Sequence, residues 1–298
     1  MPVVAPAPVI TGMNLVTAPA SGGVSLTLTG TGFQTGAAVT VGGSPCTLGS
    51  VFDCTSGSCT GFSCLTPSGP EGAAAVVLTN PDAQTASRDG LSLKIAPTIL
   101  SLAPSNGKLA GGMSVTINGG GFQSADTLVK FGGASGTACT GVTFVSSSVL
   151  TCTAPAMTAG TYEVYVLNLD GQSVNRANSF IYNPIPTITG VAPDWAMTAG
   201  GTSVTVTGAG FLSGAAVTIG GQACAGVTVN SGTSITCTTP VGTAGQAVLA
   251  VTNLDTQSAS SSFTFIGSLS LAASASTCLV GSTVGVTASG GRSPYSFS

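Results

Sequence analysis

Histidine is absent from this chain, and ionisable groups of any kind are scarce: seven Asp, two Glu and six Lys or Arg in 298 residues, for a net charge of −3. Charged residues amount to 5% of the sequence, whereas globular proteins carry about 25%. Without histidine the Ser-His-Asp triad is unavailable, and few groups remain to move protons. Nothing marks Lys94, Lys108 or Lys130 as a base buried beside a serine. The cations, completed by Arg88, Arg176 and Arg292, are scattered. No basic stripe forms to neutralise phosphates, which argues against a nucleic-acid partner and against attachment to an anionic membrane surface. Gly, Ser, Thr and Pro interrupt every apolar run before the roughly 20 residues of a membrane span, so no membrane insertion is expected within this segment. The opening Met1-Pro2-Val3-Val4-Ala5-Pro6 lacks the basic start and apolar block of a signal peptide. Either the numbering begins inside a longer precursor or export uses information elsewhere.

What remains is 43% hydrophobic residues with 43 Gly and 16 Pro, enough apolar content for folded cores. Ser, Thr, Asn and Gly supply the wettable surface. The chain repeats itself. Gly30-Thr31-Gly32-Phe33 recurs as Gly119-Gly120-Gly121-Phe122 and Gly208-Ala209-Gly210-Phe211, at a constant interval of 89 residues. Pro8, Pro97 and Pro186 keep that interval, as do Gly22-Gly23, Gly111-Gly112 and Gly200-Gly201. Self-similarity at such a period marks tandem domains, here 6–96, 97–184 and 185–266, with 267–298 as an incomplete fourth unit. Ser203-Val204-Thr205-Val206-Thr207 alternates small polar and β-branched residues, the signature of a half-buried strand. Similar runs separated by Gly, Pro, Asn or Asp predict about seven strands per repeat, hence all-β sandwiches. β-Branched residues and frequent Gly or Pro leave almost no window for a helix. Gly-x-Gly-Phe lacks the following helix of a dinucleotide loop and reads as a tight corner anchored by Phe. Residues 267–298 hold strand-like runs at 269–273, 283–288 and 295–298, too few to close a sandwich, so the polypeptide is expected to continue.

The nine cysteines follow the repeat. Cys139 with Cys152 and Cys224 with Cys237 share one spacing, each placing the first cysteine after a Gly-Gly turn and its mate before a proline. In the first repeat four cysteines allow three connectivities. Register selects Cys46 with Cys64, leaving Cys54 with Cys59 to close an inserted loop. Cys278 has no mate in the segment. With no histidine and no repeated Cys-x-x-Cys, zinc is disfavoured, so no metal or other cofactor is expected. The disulfides imply an oxidising location, extracellular or at a cell surface.

Pro186-Thr187-Ile188-Thr189, Gly200-Gly201-Thr202, Val206 to Phe211, and Cys224 followed by Cys237-Thr238-Thr239-Pro240 resemble the IPT/TIG family of immunoglobulin-like domains, found in plexins, transcription factors and bacterial surface proteins. The resemblance spans about residues 6–266. It implies tandem immunoglobulin-like β-sandwiches and, with no Asn-x-Ser/Thr sequon present, fits a bacterial surface protein. Fold alone does not select a role. Asp82, Asp170 and Asp255 recur after Asn80, Asn168 and Asn253, but one carboxylate per loop falls short of a calcium site, and these are read as turns. Trp195, near Met197, is expected in the loop before Gly200-Gly201, as an interdomain contact or a sugar platform. The joins Ile95-Ala96-Pro97 and Asn183-Pro184-Ile185-Pro186 are short and proline-bearing, which predicts a semi-rigid rod. The working expectation is a non-catalytic part of a surface fibre, stalk or adhesin that self-associates or meets other surface proteins. The alternative is a glycan- or protein-binding or spacer module of a secreted carbohydrate-active or adhesion protein, with specificity in Val51 to Ser63 or around Trp195.

Overall fold

The computed structural model describes residues 6–55, 58–124, 127–274, 280–281 and 283–291, and every regular element in them is a strand. The first repeat contains β1 (Val9–Met13), β2 (Thr17–Pro19), β3 (Ser25–Phe33), β4 (Ala38–Val41), β5 (Ser44–Pro45), β6 (Thr47–Thr55), β7 (Ser58–Leu65), β8 (Gly72–Thr79) and β9 (Thr85–Lys94). The second contains β10 (Thr98–Ala103), β11 (Asn106–Lys108), β12 (Ser114–Gly120), β13 (Leu128–Phe131), β14 (Thr137–Ala138), β15 (Thr140–Ser146), β16 (Val149–Thr153), β17 (Gly160–Leu167) and β18 (Ser173–Asn183). The third contains β19 (Thr187–Ala192), β20 (Trp195–Met197), β21 (Ser203–Ala209), β22 (Ala216–Ile219), β23 (Gln222–Ala223), β24 (Ala225–Ser231), β25 (Ser234–Thr238), β26 (Gly245–Thr252) and β27 (Ser258–Ile266). A separate antiparallel hairpin pairs β28 (Ser270–Ala273) with β29 (Val286–Ser289).

Each repeat is a sandwich of a four-stranded and a five-stranded sheet, in the order β1-β3-β7-β6 over β2-β9-β8-β4-β5 and its two equivalents. Nine strands replace the expected seven because a tiny hairpin follows β4 and because the first strand divides between the sheets. β1 pairs antiparallel with β3, and β2 then pairs parallel with β9. In the later repeats Pro104 and Pro193 stand at the division, since proline cannot donate to a ladder. In the first repeat Asn14 stands there, its side chain bonded to Ser25 O at 3.1 Å and Thr27 N at 2.7 Å.

Alternation places the core where the sequence pattern predicts. Val204 and Val206 of β21 are fully buried between Ser203, Thr205 and Thr207, and Leu26 and Leu28 do the same in β3. In the second repeat the rings of Phe131 and Phe180 meet edge to face at 5.0 Å. Phe33, Phe122 and Phe211 of the Gly-x-Gly-Phe motif are all buried. The first glycine of the motif is a close approach: a Cβ on Gly119 would lie 1.8 Å from Thr98 O and 2.7 Å from the Phe122 ring. Of the expected fourth-unit features, Cys278 and the run at 295–298 lie outside the described residues.

Candidate functional site

Three features recur at matching places in the sandwiches: a cysteine pair, a polar corner and, in two repeats, an arginine reaching between the sheets. Cys46 is bonded to Cys64, Cys54 to Cys59 and Cys139 to Cys152, with Cα separations of 5.7, 3.9 and 5.9 Å. Cys46 and Cys139 sit at the crossing from the five-stranded to the four-stranded sheet, and their mates lie on β7 and β16, so each long-loop cystine ties the two layers. The short one joins directly opposed residues of the β6–β7 hairpin. There the Phe52 ring lies over Gly61, 2.0 Å from where a Cβ would stand.

The third repeat departs from expectation. Cys224 and Cys237 are two buried thiols with no bond between them, although their backbones match the second repeat. Cys224 N donates to Val217 O at 2.9 Å, as Cys139 N does to Val129 O, and Cys237 stands opposite Val204 as Cys152 stands opposite Val115. The thiols instead share a hydrogen bond, which with burial pushes Cys237 above the usual thiol range and, against burial, holds Cys224 below it. The difference is one covalent bond; the strand pairing around it is the same.

The Asp-bearing loops hold more than turns. Each is a five-residue corner, Asn80-Pro81-Asp82-Ala83-Gln84, Asn168-Leu169-Asp170-Gly171-Gln172 or Asn253-Leu254-Asp255-Thr256-Gln257, closed by a hydrogen bond of 2.9 Å from the Asn N–H to the Gln carbonyl. The fourth residue is left-handed, with φ of 68° at Ala83, 84° at Gly171 and 70° at Thr256. Asn80, Asn168 and Asn253 are 2% exposed, and their amides donate to Gly32 O at 2.8 Å, Gly121 O at 2.7 Å and Gly210 O at 2.8 Å. The corner thereby locks the Gly-x-Gly-Phe turn. Asp82 accepts from the side chains of Gln34 at 2.7 Å and Gln84 at 2.9 Å, bonds that hold its carboxyl below the usual value. Asp170 accepts likewise from Gln123 at 2.5 Å and Gln172 at 2.8 Å. These carboxylates are saturated by amide donors, which suits a structural corner better than a cation site. The glutamines were not singled out from sequence, though Asn-x-Asp-x-Gln stands in register in all three repeats. Arg88 and Arg176 were noted only as scattered charge. Arg88 donates to Thr11 O at 3.0 Å, and Arg176 to Ile99 O at 3.0 Å and to Leu100 O.

Trp195 is not in a loop: it opens β20, paired with Thr264 of β27, and is half-buried, with Ala196 buried and Met197 exposed after it. A groove of about 840 Å³ lies on the same repeat, between the turn at Gly220 and Gly221, the segment Pro240 to Thr243, and Val248. No carboxylate, amine or thiol lines it; its polar side chains are Gln222, Thr243 and Gln246. Among the described residues no three potential metal ligands cluster, and no helix is long and apolar enough to cross a membrane.

The sequence matches the IPT/TIG domain over residues 8–94, 97–182 and 186–266. Fibrocystin-L of Mus musculus is 32% identical over 155 residues, which is 48% of this chain and 3% of that protein. The chain therefore spans a small fraction of this relative's length. Among solved structures, the plexin A4 full extracellular region aligns with 91% of this chain and 25% of its own at 20% identity, with a TM-score of 0.37. SGBP-B of the Bacteroides ovatus mixed-linkage glucan utilization locus, in complex with a mixed-linkage heptasaccharide, aligns with 92% of this chain and 70% of its own at 16% identity, with a TM-score of 0.28.

Proposed function

This chain belongs to the IPT/TIG domain family, and from that premise we propose that it is a non-catalytic, disulfide-braced spacer of an extracellular surface protein. The finer reading is a semi-rigid segment of a bacterial fibre, stalk or adhesin that associates with copies of itself. One observation carries it: cystines tie sheet to sheet in successive repeats. Such cystines persist in oxidising compartments. In that setting we further propose that Cys224 and Cys237 close the equivalent bond by exchange with an external disulfide. Low charge removes one barrier to self-association, and the proline-bearing joins limit hinge freedom.

Peptide mapping without reductant, paired with electron microscopy of the purified chain, tests this reading. The expected result is crosslinked Cys139/Cys152 and Cys224/Cys237 peptides together with ordered assemblies. Free thiols at these positions in secreted material would remove the extracellular assignment, and persistently separate particles would remove self-assembly.

A second reading is favoured by the hairpin of the first repeat. β6 and β7 continue together through the Cys54–Cys59 pair to Thr55 and Ser58, and this pinned extension has no counterpart in β15–β16 or β24–β25. It is a candidate contact for a glycan or a surface protein, as is half-buried Trp195. Glycan binding lost in Phe52→Ala or Trp195→Ala, with the fold unchanged, would favour this role over a pure spacer.

A further inference from the structure

In the second and third repeats the corner also holds the backbone that enters the repeat. The Gln172 side-chain amide has two N–H groups; one goes to Asp170 at 2.8 Å and the other to the carbonyl of Lys94 at 2.9 Å. Lys94 ends β9, and its carbonyl also accepts from Ala20 N at 2.7 Å. One carbonyl oxygen, with room for two donors, is therefore shared between the first repeat and the corner of the second. Beside it Gly121, at φ 68°, faces the linker so closely that a Cβ would stand 2.4 Å from Ala96 O and 3.1 Å from Ile95 O.

The arrangement recurs with different partners. Gln257 donates to Asp255 at 3.0 Å and to Asn183 O at 3.0 Å, with a longer contact to Pro184 O at 3.4 Å. Asn183, which ends β18, returns its own amide to Asp255 at 3.0 Å. Gly210 meets Pro186, whose Cα would be 3.2 Å from an added Cβ. In the first repeat Gly32 seats Pro6 and Ala7 in the same way.

We propose that the Asn-x-Asp-x-Gln corner and the second glycine of Gly-x-Gly-Phe form a clamp for the backbone entering each repeat. The Asp fixes the glutamine rotamer, the glutamine holds a linker carbonyl, and the glycine provides the seat. Recognition runs through main-chain carbonyls, which explains how segments as different as Lys94-Ile95-Ala96 and Asn183-Pro184-Ile185 fit the same device. The joint is stiffened by the clamp as well as by its prolines, and the linker belongs mechanically to the repeat that follows it. This deepens the spacer reading without depending on fibre formation or on a ligand.

The first clamp falls on a bond that trypsin cuts, Lys94–Ile95, so it can be read locally in the full chain. Cuts after Arg88 and Lys130 serve as references within the two flanking repeats. Gln172→Ala removes one hydrogen bond from the scissile carbonyl. The Lys94 cut is expected to quicken about two- to tenfold relative to both references, the range that one net hydrogen bond sets for a local opening. Gln172→Glu, which places a second carboxylate beside Asp170 and loses the donor, should quicken it at least as much. Gly121→Ala should do so by unseating the linker. An unchanged Lys94 rate in both glutamine variants, with native circular dichroism, overturns the clamp. So does a rise shared equally by all three sites, because that would mean general loosening. Neither outcome touches the assembly and glycan experiments above, so the clamp and the spacer reading fail separately.

Discussion

The second and third repeats share strand order but brace their layers by different means. In the second, Cys139–Cys152 ties sheet to sheet, and Arg176 reaches to the carbonyls of Ile99 and Leu100, where β10 slips register against β12. The first repeat repeats this with Cys46–Cys64 and with Arg88 on Thr11 O. In the third, the thiols are unbonded, and the residue four past the corner glutamine is Ser261 instead of arginine. The strands explain the exchange. β9 and β18 carry a left-handed residue shortly after their arginine, Gly90 at φ 109° and Asn178 at φ 50°, and β8 slips against β9 between Ala74 and Val76. β27 has no such break and pairs with β26 without interruption from Ser258 to Phe265. Where the last strand is broken, it carries an arginine that satisfies carbonyls at the slip of the first strand; where the last strand is unbroken, the equivalent slip between Ile188 and Gly190 stands without one. One topology tolerates either solution.

The most forceful way to break this comparison is to remove the covalent brace. Cys139→Ala with Cys152→Ala should cost the second repeat about 3 kcal/mol, as for a loop of this length. Native-state hydrogen exchange at Val164 and Val166 would report it, with Leu249 and Val251 as the unaffected reference. A second repeat that keeps its protection without the cystine would mean that the arginine and the core suffice.

The buried asparagines sharpen the contrast next. Asn253 accepts from Leu212 N at 3.1 Å as well as donating to Gly210 O, while among the described residues the Asn168 Oδ1 has no partner. Asn253→Ala should therefore cost about 2 kcal/mol and Asn168→Ala about 1 kcal/mol, since each buried group left unpaired adds to the loss. Equal costs in urea unfolding would show that the Oδ1 contact contributes nothing. Arg176→Ala follows at about 1.5 kcal/mol, below the full value of a buried charged bond because the side chain is partly in water. Ser261→Arg should gain nothing: β19 carries the equivalent slip between Ile188 and Gly190, but the unbroken β26–β27 ladder lacks the left-handed break that follows Arg88 and Arg176 in their own strands. A stabilised Ser261→Arg variant would overturn the link between the arginine and that break.

These differences also mark how far the sequence could be read. The repeats, the buried Phe33, Phe122 and Phe211 and the alternating strands were legible because they depend on periodicity and on one side chain at a time. β2, β11 and β20 were not. They are three residues long and pair in parallel with the distant last strand of each repeat, so no local pattern announces them, and Trp195 was placed in a loop for that reason. The cysteine spacing located the pairs but is the same in the second and third repeats, so it cannot tell a cystine from two thiols. Arg88 and Arg176 were visible only as sparse charge, since their partners are carbonyls 76 or 77 residues away. The glutamines stood in register, yet their purpose depends on a linker carbonyl that carries no side-chain signature.

The smallest expected effect concerns the corners themselves. Their fourth residue is left-handed in every repeat, and the second repeat alone places glycine there. For an L-residue this conformation costs roughly 1–2 kcal/mol through crowding of its Cβ, and a β-branched Thr256 is poorly suited to it. Thr256→Gly relieves that crowding but gives the unfolded chain more freedom, a loss of about 0.4–1 kcal/mol. The net gain should be about 0.5–1 kcal/mol in the third repeat, and Gly171→Ala should cost the second about as much. Opposite signs in urea unfolding would tie the corner conformation to stability independently of the cystine. If Thr256→Gly weakens the third repeat instead, the threonine is contributing contacts that outweigh its backbone strain, and the three corners are less alike than their shared hydrogen bonds suggest.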